Sequence, residues 1–343
     1  MKTPPCPNAV CSKTVSTIRY GFYKTRSGRR RRYRCGTCGK TFSSTSGTVY
    51  HRLQHRRWTF DDVAALSVEG VSKSAIARVK GVAWNTVDRW LEKAAECCRQ
   101  FNRNRTHGLD IRELQADEIR TFTGRKDRST WIFTTIDVWS RLWPATLVGR
   151  RSYANTRSVL REVRNRSVRG RTVFIATDGF EYYPRVVREV FGPMCILGQV
   201  LKTRRNDRVV KVERRLAVGT SWKFDEVLAN SEDSATLNTS FVERLNLTIR
   251  QGSAYLRRRA TCHARSKGRL EEQLELVRCH YNFVRPHRSL KLGRQTVTPA
   301  MQAELTKRPL TFREIFSSRS LPLSSEAFAR VFTGCTANAR LAA

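Results

Sequence analysis

The chain has 343 residues, of which 65 are lysine or arginine and 29 are aspartate or glutamate, so its formal net charge is +36. Such a length suffices for two or three domains, and such a charge points to a polyanionic partner. No apolar stretch approaches the roughly 18 to 20 residues that span a bilayer, so no membrane partner is expected and nucleic acid is favoured. The N-terminus MKTPPCPNAVC lacks an apolar signal segment, which leads us to expect a cytoplasmic, nucleoid-associated protein.

Two short cysteine pairs, CPNAVC and CGTC, lie in the first forty residues and comprise Cys6, Cys11, Cys35 and Cys38. Two thiolate pairs at this spacing can close a tetrahedral site for one structural Zn²⁺ and fold a segment too small for its own core. We therefore predict a zinc-ribbon module over residues 1–56. An alternative joins the second pair to His51 and His55 in the two-Cys, two-His spacing, but it leaves the first pair unused.

Between the pairs, the segment RYGFYKTRSGRRRRYR holds eight basic and four aromatic residues. In a ribbon this segment forms the hairpin between the two cysteine turns. Its charge is suited to contacts with phosphate groups.

Residues 57–105 are predicted to form a helix-turn-helix DNA-binding domain. The stretch DDVAALSVEG is typical of a first helix, and SKSAIARVKGVAWNTVDRWLEKAAE fits two further helices around a turn at Gly81. The recognition helix is placed over residues 83–91. Four side chains near its start and outer face are candidate DNA contacts, namely Trp84, Asn85, Thr86 and Arg89. The alternative is a helical hairpin used only for packing. The polar segment RQFNRNRTHG, residues 99–108, is predicted to be a linker.

Strand patterns begin at Leu109. Three runs, LQADEIRTFTG, TWIFTTIDVWSR and LWPATLVGRRS, indicate an antiparallel meander, and ANTRSVLREVRN indicates a crossover helix leading to TVFIATDG. The crossover makes this last strand parallel to one already in the sheet. If it lies beside the first strand, Asp117 in mid-strand and Asp178 at the strand end come close together.

Two neighbouring carboxylates repel one another unless a cation lies between them, and Mg²⁺ prefers such oxygen ligands. The stretch NTSFVERLNLTIRQG supplies a third candidate ligand. On a helical wheel its apolar side chains share one face, whereas Glu243, Asn246 and Arg250 lie on the other. The sequence therefore predicts a Mg²⁺ site formed by Asp117, Asp178 and Glu243.

The motifs taken together resemble the DDE transposases of small bacterial and archaeal insertion sequences. The resemblance rests on CPNAVC…RRRYRCGTCGKTF, GVSKSAIARVKGVAWNTVDRWL, Asp117, TDG with Asp178, ERLNLTIRQ with Glu243 and Arg250, and YNFVRPHRSL…TPA. It covers about residues 6–300, and two features depart from it: the looser C-x4-C pair and the unassigned segment 202–226.

The resemblance implies an α/β core, a ribonuclease-H-like mixed sheet with flanking helices, over residues 109–300. It implies two catalytic Mg²⁺ ions, for which Mn²⁺ could substitute, and a DNA contact by Arg250 near the scissile phosphate. It further implies a homo-oligomer on double-stranded DNA that binds the element's terminal inverted repeats, cleaves there and joins the 3′ ends to target DNA. Residues 301–343 form a C-terminal appendix without recognisable chemistry.

Other interpretations concern single residues and the whole chain. Asp137 in TIDVWSR is interpreted as a turn residue, and His287 in RPH as a structural residue or a phosphate contact. Glu118 is expected to point away from Asp117, because neighbours in a strand face opposite sides. The alternative functions are a non-enzymatic DNA-binding regulator and a structure-specific nuclease of the same fold.

Overall fold

The computed structural model describes residues 3–8, 11, 16–25, 28–206, 208–232, 234–259 and 261–318. The chain divides into two compact units. One combines the chain up to Asp61 with the segment from Arg313 onward, and the other runs from Asp62 to Phe312. The domain boundaries given above stay predictions, and residues 319–343 of the predicted appendix lie outside the described residues. Among the helices that the structure describes, none is long and apolar enough to cross a membrane.

The smaller unit contains a three-stranded antiparallel sheet. Its strands are β1 (Thr17–Thr25), β2 (Gly28–Cys35) and β3 (Thr41–Ser43), hydrogen-bonded in the order β1-β2-β3. The guanidinium groups of Arg29 and Arg31 lie 4.0 and 4.2 Å from the centre of the Phe22 ring. This cation–π stacking partly covers an exposed aromatic side chain on a hairpin with little apolar core of its own.

Three helices follow, α1 (Arg57–Val68), α2 (Lys73–Lys80) and α3 (Trp84–Arg105). The Ser72 hydroxyl accepts a hydrogen bond from the Ala75 N–H at the start of α2, and Gly81 ends that helix with φ of +61°. The predicted linker is wrong for its first part, because residues 99–105 continue α3. Phe101 is buried and packs edge-to-face on Phe283, with 5.0 Å between ring centres. The buried face of α3 therefore continues into this segment although most of its residues are polar.

The larger unit is built on a six-stranded mixed sheet in the order β6-β5-β4-β7-β8-β9. Its strands are β4 (Glu113–Phe122), β5 (Ser129–Asp137), β6 (Thr146–Gly149), β7 (Val173–Asp178), β8 (Cys195–Arg205) and β9 (Arg208–Val218). The first three form an antiparallel meander, β7 and β8 run parallel to β4, and β9 returns antiparallel along the edge. This is a ribonuclease-H-like core with one added edge strand, as predicted.

Four helices accompany this sheet, namely α4 (Tyr153–Arg166), α5 (Tyr183–Phe191), α6 (Ser221–Ala229) and α7 (Ser240–Gln251). Helix α4 is the predicted crossover between β6 and β7. Strand β7 is buried from Val173 to Thr177 and lies beside β4, with Ala116 paired to Thr177. The next residues along the two strands are Asp117 and Asp178, so the register brings them together as expected.

Strand β4 is covered on both faces. Gln115 accepts hydrogen bonds from the N–H groups of Phe241 and Val242 at the start of α7. Glu118, an odd number of residues further along, accepts a hydrogen bond from the Tyr183 hydroxyl of α5. Because strand residues alternate between faces, α7 and α5 pack on opposite sides of β4.

The remaining elements complete the chain as far as Ser318. They are α8 (Lys267–Cys279), a π-helical turn (His280–Val284), β10 (His287–Leu292), β11 (Gln295–Val297), α9 (Pro299–Gln302) and α10 (Phe312–Ser317). Helix α8 packs along α3. The segment 202–226, unassigned from sequence, comprises the β8–β9 hairpin and the start of α6.

Candidate active site

A cavity of about 1330 Å³ opens where β4 and β7 deliver their aspartates. Its acidic lining includes all three predicted ligands, Asp117, Asp178 and Glu243, and two further carboxylates, Glu118 and Glu181. Basic side chains also line it, namely Arg151, Lys202, Arg250, Arg257 and Arg258. A carboxylate centre beside several arginines suits a cation together with a phosphate group.

Three carboxylates converge in this cavity. One oxygen each from Asp117, Glu118 and Asp178 lies within 4.8 Å of the other two. The pKa of Asp117 is raised to about 6, by burial first and also by the charges of Asp178 and Glu243. Burial, followed by the charge of Asp178, raises the pKa of Glu118 to about 7. Hard oxygen ligands crowded in this way fit a divalent cation, which relieves their repulsion.

Asp117 and Glu118 point to opposite faces of β4, as alternation along the strand predicts. However, the β4–β7 pairing ends at Ala116 and Thr177, so no paired strand separates the side chains beyond that point. Both carboxylates therefore approach Asp178 around the open end of β7.

Arg151 joins two of the carboxylates. Its guanidinium lies 2.8 Å from Glu118 Oε2 and 3.2 Å from Asp178 Oδ2. The same group lies 3.8 Å from the ring centre of Phe180 and 4.9 Å from that of Trp131. The Tyr183 hydroxyl donates a hydrogen bond to Glu118 Oε1 at 2.5 Å. Both oxygens of Glu118 therefore have a partner, Tyr183 for Oε1 and Arg151 for Oε2. Arg151 is thus held in a fixed position at the cavity wall.

Helix α7 carries Glu243 to the cavity. Thr239 lies at the start of the helix, but its side chain does not cap the helix. Instead, the backbone N–H groups of Phe241 and Val242 donate hydrogen bonds to the buried side-chain oxygen of Gln115 in β4. The Glu243 carboxylate lies outside the three-carboxylate cluster and pairs with Lys202 and Thr239. Strand β4 therefore positions the first turn of α7 directly.

Asn246 and Arg250 lie on the same side of α7 as Glu243. The sequence placed Asn246 on the polar face without a role. In the structure it is 8% exposed and donates a hydrogen bond to Asp117 Oδ2 at 2.7 Å. Arg250 lines the cavity, and its pKa is lowered by burial and by the charge of Arg258.

Two other candidates have structural environments. Asp137 ends β5, is buried, and accepts hydrogen bonds from the backbone N–H and hydroxyl of Ser140, in keeping with a turn residue. Burial raises its pKa to about 6. A ring nitrogen of His287 lies 3.2 Å from the Tyr281 carbonyl oxygen, and the two rings pack edge-to-face.

The four N-terminal cysteines form a second candidate metal centre. The Sγ atoms of Cys6 and Cys38 lie 3.8 Å apart, as do those of Cys11 and Cys35, and all four fall within 4.8 Å of one another. Around a metal at about 2.3 Å from each sulfur, the edges of a tetrahedron are about 3.8 Å. The cluster could therefore hold one zinc ion. Among the described residues, neither His51 nor His55 belongs to it.

The candidate recognition surface begins at Trp84. Trp84, Asn85 and Arg89 are exposed at the start of α3, and Thr86 is half-buried. Val87 and Trp90 are buried on the opposite side of the same turns. The predicted DNA contacts are therefore on the side of α3 that a major groove of DNA could reach.

No protein-family model matches the chain, and no curated protein matches it. Among solved structures, the chain is similar to a chain of the simian T-cell lymphotropic virus intasome in complex with PP2A regulatory subunit B56 gamma. That alignment has 11% identity and a TM-score of 0.31, and it covers 73% of this chain and 76% of the other. A second match is a piggyBac transposase synaptic complex with hairpin DNA, at 10% identity and a TM-score of 0.32, covering 81% and 72%. The fold assignment rests on the strand order and register.

Proposed function

We propose that the protein is a metal-dependent transposase that cleaves DNA at the ends of its own element and joins the 3′ ends to target DNA. The observation that carries this proposal is the convergence of Asp117, in the middle of β4, with Asp178, at the end of the adjacent parallel strand β7, beside basic side chains in one cavity. A regulator that only binds DNA has no need of such a centre.

We assign Asp117, Asp178 and Glu243 as the ligands of two divalent cations, with Mg²⁺ as the natural metal and Mn²⁺ as a substitute. Their carboxylate oxygens and shared cavity fit such ions. The chemistry supplied by divalent cations at a site of this kind is activation of an attacking hydroxyl and neutralisation of charge on the leaving oxygen of an in-line displacement. Glu118 is held by Tyr183 and Arg151, so it serves to position Arg151.

The side chains around these ligands orient them and bind the DNA strand. Asn246 donates a hydrogen bond to Asp117 Oδ2, which fixes the orientation of that carboxylate. Arg250 and Arg151 present guanidinium groups to a phosphodiester that enters the cavity, and a guanidinium neutralises charge that builds up on phosphate oxygens.

The N-terminal parts of the chain are proposed to recognise the DNA sequence. We propose that α2 and α3 act as a helix-turn-helix, with Trp84, Asn85, Thr86 and Arg89 facing the terminal repeat, and that the cysteine cluster holds one structural Zn²⁺. A homo-oligomer on DNA would bring two element ends together. The exposed start of α3 and the charge of +36 support this assignment.

One experiment separates the proposal from its two rivals. Labelled duplexes covering the DNA on both sides of the reading frame are incubated with the protein, Mg²⁺ and a supercoiled plasmid. Covalent joining of a labelled 3′ end to the plasmid is the expected result. Cleavage without joining would indicate a nuclease, and sequence-specific binding without cleavage would indicate a regulator.

A further inference from the structure

A second cavity, of about 540 Å³, lies within the smaller unit and is almost wholly basic. Five arginines line it, namely Arg29, Arg30, Arg56, Arg57 and Arg313. Trp58, which is 51% exposed, stands at the same cavity. None of the described residues that line it is acidic. The cavity gathers arginines from the β1–β2 hairpin, the start of α1 and the segment after Phe312.

The arginines lie close enough to repel one another. The pKa of Arg57 is lowered by burial first and then by the charges of Arg30 and Arg313. The guanidinium groups of Arg57 and Arg313 lie 5.6 and 5.5 Å from the centre of the same Tyr50 ring. Like charges gathered in one cavity repel one another, and a bound anion relieves that repulsion.

The start of α1 adds to this positive potential. Arg57 and Trp58 occupy the first turn of this twelve-residue helix, and the turn contains no acidic residue. The free N–H groups and the dipole of a helix favour an anion at the N-terminus. Asp61 contacts one of these arginines, because it pairs with Arg313. Its carboxylate also accepts a hydrogen bond from the Tyr50 hydroxyl.

We propose that this arginine cavity is a phosphate-binding site that takes a backbone phosphate of the DNA duplex. Arginine binds phosphate oxygens through paired N–H donors, and the exposed Trp58 offers an apolar surface to the adjoining sugar. The site shares no lining residue with the candidate active site or with the start of α3. It rests on the proposed function only in that the duplex is the source of the phosphate.

The first test is thermal unfolding of the zinc-loaded full chain in low-millimolar inorganic phosphate, against chloride at equal ionic strength. Wild-type protein should gain about 2 °C or more, since a ligand of the folded state stabilises it. Arg57→Gln should be at least as stable as wild type in chloride, because repulsion is relieved, and should lose the response to phosphate. Arg169→Gln is the matched control, since this exposed arginine after α4 does not line the cavity and belongs to no predicted DNA contact, and it should respond as wild type does.

The second test identifies the source of the phosphate. Binding of a random-sequence duplex is measured over a series of salt concentrations for wild type, Arg57→Gln and Arg169→Gln. Loss of one phosphate contact should reduce the salt slope by about 0.9 in Arg57→Gln alone. If phosphate stabilises the protein but the salt dependence of duplex binding is unchanged in Arg57→Gln, the duplex is not the source of the phosphate. A free phosphate compound would then be the ligand. An equal response of wild type and Arg57→Gln to phosphate would overturn the site itself, whether or not the protein cleaves DNA.

Discussion

Asn246 of α7 donates a hydrogen bond to Asp117 of β4, with 2.7 Å between Nδ2 and Oδ2. The amide oxygen of Asn246 accepts a hydrogen bond from the Thr134 hydroxyl at 2.7 Å. The buried amide of Asn246 thus links α7, the helix that carries Glu243, to strands β4 and β5. Removing it leaves the Thr134 hydroxyl and one oxygen of Asp117 without these partners.

We predict that Asn246→Leu lowers the free energy of unfolding by about 1–3 kcal/mol, the usual penalty for unsatisfied buried polar groups. It should also weaken Mn²⁺ binding, because Asp117 is no longer oriented. Urea unfolding and calorimetric titration of Mn²⁺ measure the two effects. Thr248→Val, at a half-buried polar position of the same helix, is the control. Equal effects of both substitutions would contradict a special role for Asn246.

The cysteine cluster predicts one Zn²⁺ per purified chain. Cys11→Ser should lose the metal, because a closed structural site needs all four thiolates. His51→Ala should keep it. Metal content is measured by elemental analysis after gel filtration. Release of zinc by the His51 substitution, with retention in Cys11→Ser, would instead support the two-Cys, two-His arrangement.

The start of α3 predicts a separation of sequence recognition from charge. Asn85→Ala and Arg89→Ala should weaken binding to duplexes selected by the wild-type protein more than binding to random duplexes. Arg31→Gln with Arg32→Gln should weaken both and reduce the salt dependence. Fluorescence anisotropy on the two kinds of duplex measures this. If the α3 substitutions reduce both affinities equally, α3 does not read the sequence.

Two half-buried histidines, His280 and His287, predict a loss of stability in acid. Burial lowers the pKa of His280 and of His287 to about 4. The neutral rings therefore favour the folded state above pH of about 6.5, and this stability is lost as the pH falls toward 4. His287→Gln should reduce the difference in unfolding free energy between about pH 7 and about pH 4.5 by on the order of 3 kcal/mol or less. The exposed His107→Gln should leave that difference unchanged, and an identical pH dependence of both variants would refute the assignment.

The sheet could be predicted because its signals are local. The apolar run from Val173 ends at a turn, and the crossover pattern then limits where that strand can pair. The positions of Asp117 and Asp178 follow from this. The hairpin over 202–226 was not recognised, because β9 is an exposed edge strand with charges on both faces, and Arg214 interrupts its alternation of apolar residues.

The parts that sequence reasoning missed are contacts between distant segments. Asn246 meets Asp117 across 129 residues, and Gln115 meets the start of α7 across 126. Only the polar character of Asn246 on the Glu243 face hinted at the first contact. The convergence of Glu118 with Asp178 depends on where β7 stops pairing, which a pattern of alternation does not specify.

The catalytic assignment predicts that Asp117→Asn, Asp178→Asn and Glu243→Gln each reduce cleavage by orders of magnitude while DNA binding survives. The substitutions keep side-chain size and remove the charge that holds a cation. Combining them should add little, as expected for groups that act as one unit. Asp137→Asn is the control and should retain cleavage, although its burial makes a folding check by circular dichroism necessary.

The most direct test of the central claim is the rate of Mg²⁺-dependent strand cleavage by Glu243→Gln on an element-end duplex, beside its binding of that duplex in Ca²⁺. Glu243 is the decisive residue, because its carboxylate pairs with Lys202 and lies outside the three-carboxylate cluster. We expect wild-type binding and a cleavage rate reduced by orders of magnitude. Wild-type cleavage by this variant would contradict the assignment of Asp117, Asp178 and Glu243 as the catalytic centre.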